Sequence, residues 1–202
     1  MSGYPIMLRG GRIRALVVGG GAVAARKVAA LVEAGAAVQV VAPDVVAALA
    51  AFAEAGRVSL ARRRFEPGDI AGARLVFAAT DDRTVNARVA ELARAAGALV
   101  NIADDPDGSD FVTPAVHRAG ELTVAVSAGR VPGAAARVRD AVAARFDGRY
   151  AAAVERLTTL RAARVDAGAG ADWREAADLL LGDDFCESVE DGRFAERVAR
   201  WR

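Results

Sequence analysis

The chain has 202 residues, 53% apolar and 26% charged, which suffices for a buried core and excludes a disordered chain. A formal net charge of +1 gives no global field for nucleic acid or a membrane surface, and Cys186, the single cysteine, excludes an intramolecular disulfide and a multi-thiolate zinc site. No apolar run is long enough to span a bilayer and Met1 to Arg14 lack the apolar core of a leader, so the expectation is a soluble, unprocessed, cytoplasmic protein with no nucleic-acid or membrane partner.

Residues 13–18 read as a buried strand, Gly19-Gly20-Gly21 as a turn, and 22–34 as a helix whose apolar residues Val23, Val28, Leu31 and Val32 keep helical spacing. A strand over 37–42, a helix over 45–56 and a short strand over 58–62 follow. A strand over 74–79, a helix from Thr84 to Ala96 and a strand over 99–103 complete a βα alternation, the pattern of a doubly wound parallel sheet. After Asp104-Asp105-Pro106-Asp107-Gly108 the alternation stops. A hairpin from 111–116 and 122–126 is expected next, then helices over 133–146 and 149–165, a flexible linker at 166–170, and short helices at 173–181 and 193–201.

The turn has the form G-x-G-x-x-A. Gly19 permits the sharp turn, Gly21 lets the backbone approach a pyrophosphate, Ala24 is small enough for close helix–strand packing, and the helix amides face the anion. A dinucleotide-binding sheet usually carries an acid at the end of its second strand. Here Asp44 follows Ala42-Pro43, and it either reaches a ribose or caps a helix beginning at Val45. Thr80 either borders the nicotinamide half or serves with Asp82 as a helix-start residue. Asp104 and Asp105 lie where a carboxylate looks across the crevice and acts as a general base, but the same residues make a good turn. His117, the one histidine, is too isolated for a histidine-rich metal site and reads as a packing or surface residue. Ser127 lacks a nucleophile elbow. No arginine directly adjoins Asp44 to receive a 2′-phosphate, which favours NAD over NADP.

The ordered segments Tyr4-Pro5-Ile6, Val17 to Lys27, Val41-Ala42-Pro43, Ala78 to Asn86, Asn101 to Pro106, Ser109 to Ala115 and Val124 to Gly129 resemble the precorrin-2 dehydrogenase family, also found as the N-terminal module of siroheme synthase. The resemblance covers nearly the first 150 residues. It implies a Rossmann-like NAD-binding domain over 1–112, a dimerisation segment over 113–147 and a small helical C-terminal domain over 148–202, forming a homodimer. It implies NAD-dependent oxidation of the tetrapyrrole precorrin-2 to sirohydrochlorin, with Asp104 at the catalytic position and Ala22, Val23, Pro43 and Asp44 at cofactor-contacting positions, beside Gly19, Gly21 and Thr80 from the reading of the residues. Ser127, Arg130 and Arg137 are candidate contacts for substrate carboxylates, as are Arg118 and Arg139.

Some members of this family also insert ferrous iron into sirohydrochlorin with the same aspartate. This chain departs from the family pattern after Ser127-Ala128-Gly129, where Arg130-Val131-Pro132-Gly133 replaces a second glycine and a serine-proline pair. The change falls in the loop expected to hold the tetrapyrrole, so metal insertion is left open. A non-catalytic tetrapyrrole or NAD carrier, or a chelatase with little dehydrogenase activity, is the alternative. No methyltransferase module is attached within these residues.

Overall fold

Four short apolar runs buried on both faces, with one short and partly exposed edge strand, make a parallel sheet. The computed structural model describes residues 3–129 and 131–201. Strands β1 (Arg14–Val18), β2 (Ala37–Val41), β3 (Ser59–Ala61), β4 (Leu75–Ala78) and β5 (Leu99–Ile102) lie in the order β3-β2-β1-β4-β5, every neighbouring pair parallel. Alternate side chains of a strand serve opposite layers. Ala15 and Val17 pack with α1 (Ala22–Glu33) and α2 (Ala47–Glu54), whereas Leu16 and Val18 pack toward α3 (Arg83–Ala95). Each fully buried Val or Leu in these layers is worth about 1.5–3 kcal/mol. In α1 the buried residues are Ala24, Val28 and Val32, one every helical turn, and Gly35 at φ +78° ends the helix.

The sheet order reverses between β1 and β4, since β2 and β3 lie on one side of β1 and β4 and β5 on the other. The loops after β1 and β4 therefore part at the carboxyl edge of the strands, where doubly wound sheets bind ligands. The expected Rossmann-like α/β class holds.

Residues 109–113 do not begin a hairpin. They run along the outer side of β5, where Asp110 N–H donates to Val100 O, Asp110 Oδ2 accepts from Val100 N, Ser109 Oγ accepts from Ile102 N, and Asn101 Nδ2 donates to Phe111 O. The Phe111 ring meets Phe77 edge to face with centroids 5.3 Å apart. These contacts hold the segment to the first sheet, so the hairpin begins only after Pro114, with β6 (Ala115–Ala119) antiparallel to β7 (Leu122–Val126). Lys27, the one lysine among 27 basic residues, donates from Nζ to Thr113 Oγ1 at 2.7 Å and lies 5.7 Å from the centre of the Phe77 ring. Burial, and secondarily the neighbouring Arg26, lowers its pKa below the ordinary lysine value.

The chain folds as two compact units, one ending at Thr113 and the other starting at Pro114. The second contains the hairpin, α4 (Pro132–Arg145), α5 (Gly148–Asp166), α6 (Gly170–Leu180), α7 (Phe185–Glu190) and α8 (Arg193–Ala199). Its core gathers Tyr150, Leu160, Ala176, Leu180, Val189, Phe194 and Val198, with the rings of Phe146, Tyr150, Phe185 and Phe194 in successive contact. The linker expected at 166–170 is a tight helix–helix turn. Gly168 adopts φ +72°, its N–H and that of Ala169 bond back to Val165 and Arg164 carbonyls, and α6 starts at Gly170. The short helix α7 was not expected from the sequence. His117 fills the packing role, its Nε2 donating to Phe146 O at 2.6 Å and so joining the hairpin to the end of α4. Among the described residues, no helix is long and apolar enough to cross a membrane.

Candidate functional site

The glycine turn after β1 has three members with three different surroundings. Gly19 has φ +131°, and a Cβ there would lie 2.2 Å from Ala79 O at the end of β4. Gly20 lies against the loop after β2, where a Cβ would come 1.8 Å from Asp44 O, and its own carbonyl accepts from Val46 N at 2.9 Å. Gly21 faces open space, with nothing within 4 Å of a Cβ built on it. Gly21 is also the N-cap of α1, with no side chain capping that end and no acid in the first turn. Ala22 and Val23 are exposed beside it, while Ala24 is fully buried against the sheet. The amides of the first helical turn thus face open space beside Gly21, an arrangement that suits a phosphate or pyrophosphate group. The sequence predicts the roles of Gly19, Gly21 and Ala24, but it does not single out Gly20, the most closely packed of the three glycines.

Pro43 and Asp44 are exposed on the loop after β2. Asp44 does not cap α2: that helix starts at Ala47 with Val46 as its N-cap, and no side-chain capping bond forms. The capping alternative falls, because Val45 and Val46 intervene between Asp44 and the helix. The carboxylate is left at the carboxyl edge of the sheet.

Asp82 is a true N-cap, its Oδ1 accepting from Thr84 N at 2.8 Å and Val85 N at 3.2 Å. Thr80 bonds to Asp82, its Oγ1 accepting from Asp82 N at 3.2 Å and donating to Asp82 O at 3.0 Å, and it also joins a network centred on Asn86. The Asn86 side chain is almost fully buried, and all four of its hydrogen-bonding sites are filled. Its Oδ1 accepts from Thr80 N at 3.1 Å and Thr80 Oγ1 at 2.8 Å, and its Nδ2 donates to Thr80 O at 3.0 Å and to Asp104 Oδ1 at 3.1 Å. These partners fix which way the amide faces.

Asp104 and Asp105 have different occupations. Asp105 closes the turn, its Oδ1 accepting from Gly108 N at 2.9 Å and its carbonyl from Ser109 Oγ at 2.8 Å. Asp104 instead faces the first turn of α3, where Asn86 donates to one oxygen and Arg83 Nε to the other at 3.2 Å. Both oxygens act as acceptors. Arg83 and Asn86 are three apart and so share one face of the helix. The Arg83 pair is exposed, the class of contact worth about 0–1 kcal/mol.

Gly19, Gly21, Pro43, Asp44, Thr80 and Asp104 on the loops, with Ala22 and Val23 at the start of α1, all fall at one edge of the sheet. A cleft of about 250 Å³ lined by Arg14, Gln39, Ser59 and Asp69 lies at the other edge, where the strands begin, and contains none of them. Ser127 is exposed after β7 and Arg137 is exposed on α4, both in the second unit, and Arg130 lies outside the described residues. Arg139 pairs with Asp140. The sequence does not single out Asn86 or Arg83 as site residues. Asn86 carries a readable signal, a polar residue in the inward stripe that continues through Val89, Ala90 and Ala93.

A family model described as putative NAD(P)-binding matches residues 6–115. The siroheme synthase of Chromobacterium violaceum is 39% identical over 204 aligned residues, covering 98% of this chain and 41% of that protein. That of Methylococcus capsulatus is 46% identical over 129 residues, or 64% of this chain and 27% of that protein. The chain thus spans about two fifths of the length of the first of these relatives and less of the second. A solved structure titled "SirC, precorrin-2 dehydrogenase" superposes with a TM-score of 0.79 at 26% identity, covering 98% of this chain and 99% of that one. With its glycine turn at the reversal point of a parallel sheet, the chain belongs to the putative NAD(P)-binding family.

Proposed function

We propose that the protein is a precorrin-2 dehydrogenase, oxidising precorrin-2 to sirohydrochlorin with NAD. The observation that carries this reading is Asp104, held by Asn86 and Arg83 on the same sheet edge as the open, uncapped start of α1. The near full-length likeness to a protein titled precorrin-2 dehydrogenase supports the substrate. The oxidation removes one hydride and one proton from the tetrapyrrole, and bound NAD supplies the hydride acceptor. The first-turn amides of α1, with Gly19 and Gly21, hold the pyrophosphate. Asp44 takes the ribose hydroxyls, which is the feature that favours NAD over NADP. Thr80 borders the nicotinamide half. Asp104 accepts the proton.

Ser127 and Arg137 carry over as candidate contacts for substrate carboxylates. The segment 113–147 is assigned to pairing with a second copy, a reading supported by Val131, 58% exposed just before α4, and Val138, 50% exposed on it.

The test is a paired assay on wild type and Asp104→Ala: precorrin-2 with NAD, and sirohydrochlorin with ferrous iron. The expected outcome is the sirohydrochlorin spectrum from wild type and a fall on the order of 10²–10⁴ in the variant, with NADH binding kept. Wild-type protein that leaves precorrin-2 at its background oxidation rate, while an active dehydrogenase converts it, would sink the reading and favour a carrier. Iron insertion without dehydrogenation would assign a chelatase.

A further inference from the structure

We propose that Arg83 is a substrate-anchoring cation: its guanidinium leaves Asp104 for a carboxylate of the tetrapyrrole, while Asn86 keeps Asp104 in place. The inference rests on the dehydrogenase reading and adds a residue to it.

The two donors that hold Asp104 differ in everything except their target. Asn86 is buried, has all four hydrogen-bonding sites filled and is tied to the end of β4 through Thr80. It cannot leave without stranding Thr80. Arg83 has a side chain 87% exposed, and among the described residues its side chain makes one hydrogen bond, the 3.2 Å bond to Asp104 Oδ2. Exchanging that partner strands nothing, because water reaches both groups.

The charges of the surrounding loops give the exchange a purpose. Over residues 79–86 and 103–110, the two segments that meet here, the acids are Asp81, Asp82, Asp104, Asp105, Asp107 and Asp110, and the only base is Arg83. Arg94, farther along α3, is taken by Asp110 and the Gly108 carbonyl. Within these two segments Arg83 is therefore the one cation that a substrate carboxylate meets, and its planar fork suits a carboxylate. Before substrate arrives, the same guanidinium offsets the charge of Asp104. After exchange it has placed a substrate carboxylate beside the base and freed the second oxygen of Asp104 to accept a proton.

The test is an absorbance titration of sirohydrochlorin into wild type, Arg83→Gln and Arg83→Lys, with NADH titrated in parallel, followed by steady-state kinetics with precorrin-2. Arg83→Gln is expected to weaken sirohydrochlorin binding by about tenfold or more, the scale of one charge-assisted hydrogen bond. Arg83→Lys should recover part of the loss. The KM for precorrin-2 should rise in step while kcat changes less than about threefold, and the NADH Kd should hold within about twofold. If wild type binds and oxidises the tetrapyrrole but Arg83→Gln binds it equally well, Arg83 is not an anchor and the dehydrogenase reading stands. A kcat loss with unchanged tetrapyrrole affinity would make Arg83 a positioning residue for Asp104 and overturn the exchange. If wild type neither binds nor oxidises the tetrapyrrole, both readings fall.

Discussion

Asn86 Nδ2 stands 3.1 Å from Asp104 Oδ1, and that bond links the buried face of α3 to a carboxylate on the loop after β5. The same amide is bonded three times to Thr80, so beyond the backbone pairing of β4 with β5 the loops that leave these strands are tied together through this side chain. Asn86→Ala should leave Thr80 polar groups underpaired and cost about 2–3 kcal/mol in urea unfolding. Turnover should fall on the order of 10²-fold as Asp104 loses its fixed position. A variant that unfolds like wild type and keeps full kcat would show that Asp104 is positioned by other means.

The glycine turn separates folding from binding. Gly20→Ala would drive a methyl group into Asp44 O, and the Asp44 backbone with the Ala42 methyl group leaves little room to relax. A loss of about 2 kcal/mol or more is expected in thermal or urea unfolding. Gly21→Ala meets no atom within 4 Å, so stability should stay within about 0.5 kcal/mol of wild type. Its methyl group intrudes on the approach to α1, and calorimetric titration should show NADH affinity reduced by about tenfold or more. Equal effects of the two substitutions on binding and folding would contradict this division.

Acid should act on the first unit through Asp69. Arg63 reaches it with two hydrogen bonds, at 2.6 and 2.8 Å, and Glu66 N–H adds a third at 2.8 Å, so the hydrogen bond from Arg63 first, assisted by the Glu66 amide, holds the carboxyl below its ordinary pKa. A carboxyl depressed in the folded state stabilises above its unfolded pKa, and that stability is lost as pH falls through the folded value. The Tm advantage of wild type over Asp69→Asn should therefore be full at about pH 6 and narrow as the pH falls to about 3. An advantage that stays constant across this range would place the pair outside the acid response.

In the second unit, the buried Tyr150 hydroxyl donates to Glu190 Oε1 at 2.8 Å, an oxygen that also accepts from Arg145 Nε at 2.7 Å. Burial, followed by the hydrogen bond to Glu190, raises the tyrosine pKa well above its usual value. Tyr150→Phe keeps the ring contacts to Phe146 and Phe185 and removes only the hydroxyl. Differential scanning calorimetry should show a Tm lower by about 2–4 °C. No change would mean that water replaces the hydroxyl without loss.

Much of this arrangement is legible in the residues because it depends on local rules. Continuous apolar runs such as Leu16-Val17-Val18 and Leu75-Val76-Phe77 mark parallel strands, and the glycine turn marks the start of α1. What escaped depends on long-range pairing. Asp104 and Asp105 are chemically equivalent in an Asp-Asp-Pro turn, and only the position of α3 separates the base candidate from the turn residue. Phe111-Val112-Thr113 has strand composition, but its partner is the ring of Phe77, 34 positions earlier, rather than the hairpin that follows. Gly20 looks like a spacer until Asp44 is folded against it.

The outer side of β5 is the last strand position in its sheet, and its outward backbone groups are already taken. Val100 N–H goes to Asp110 Oδ2 and Val100 O to Asp110 N–H, while Ile102 N–H goes to Ser109 Oγ. A strand from a neighbouring molecule finds no ladder to extend there, so this sheet resists edge-to-edge aggregation along β5. The Ser109-Asp110-Phe111 stretch therefore shields the protein from its own unfolded copies, a duty independent of any chemistry at the opposite ends of these bonds.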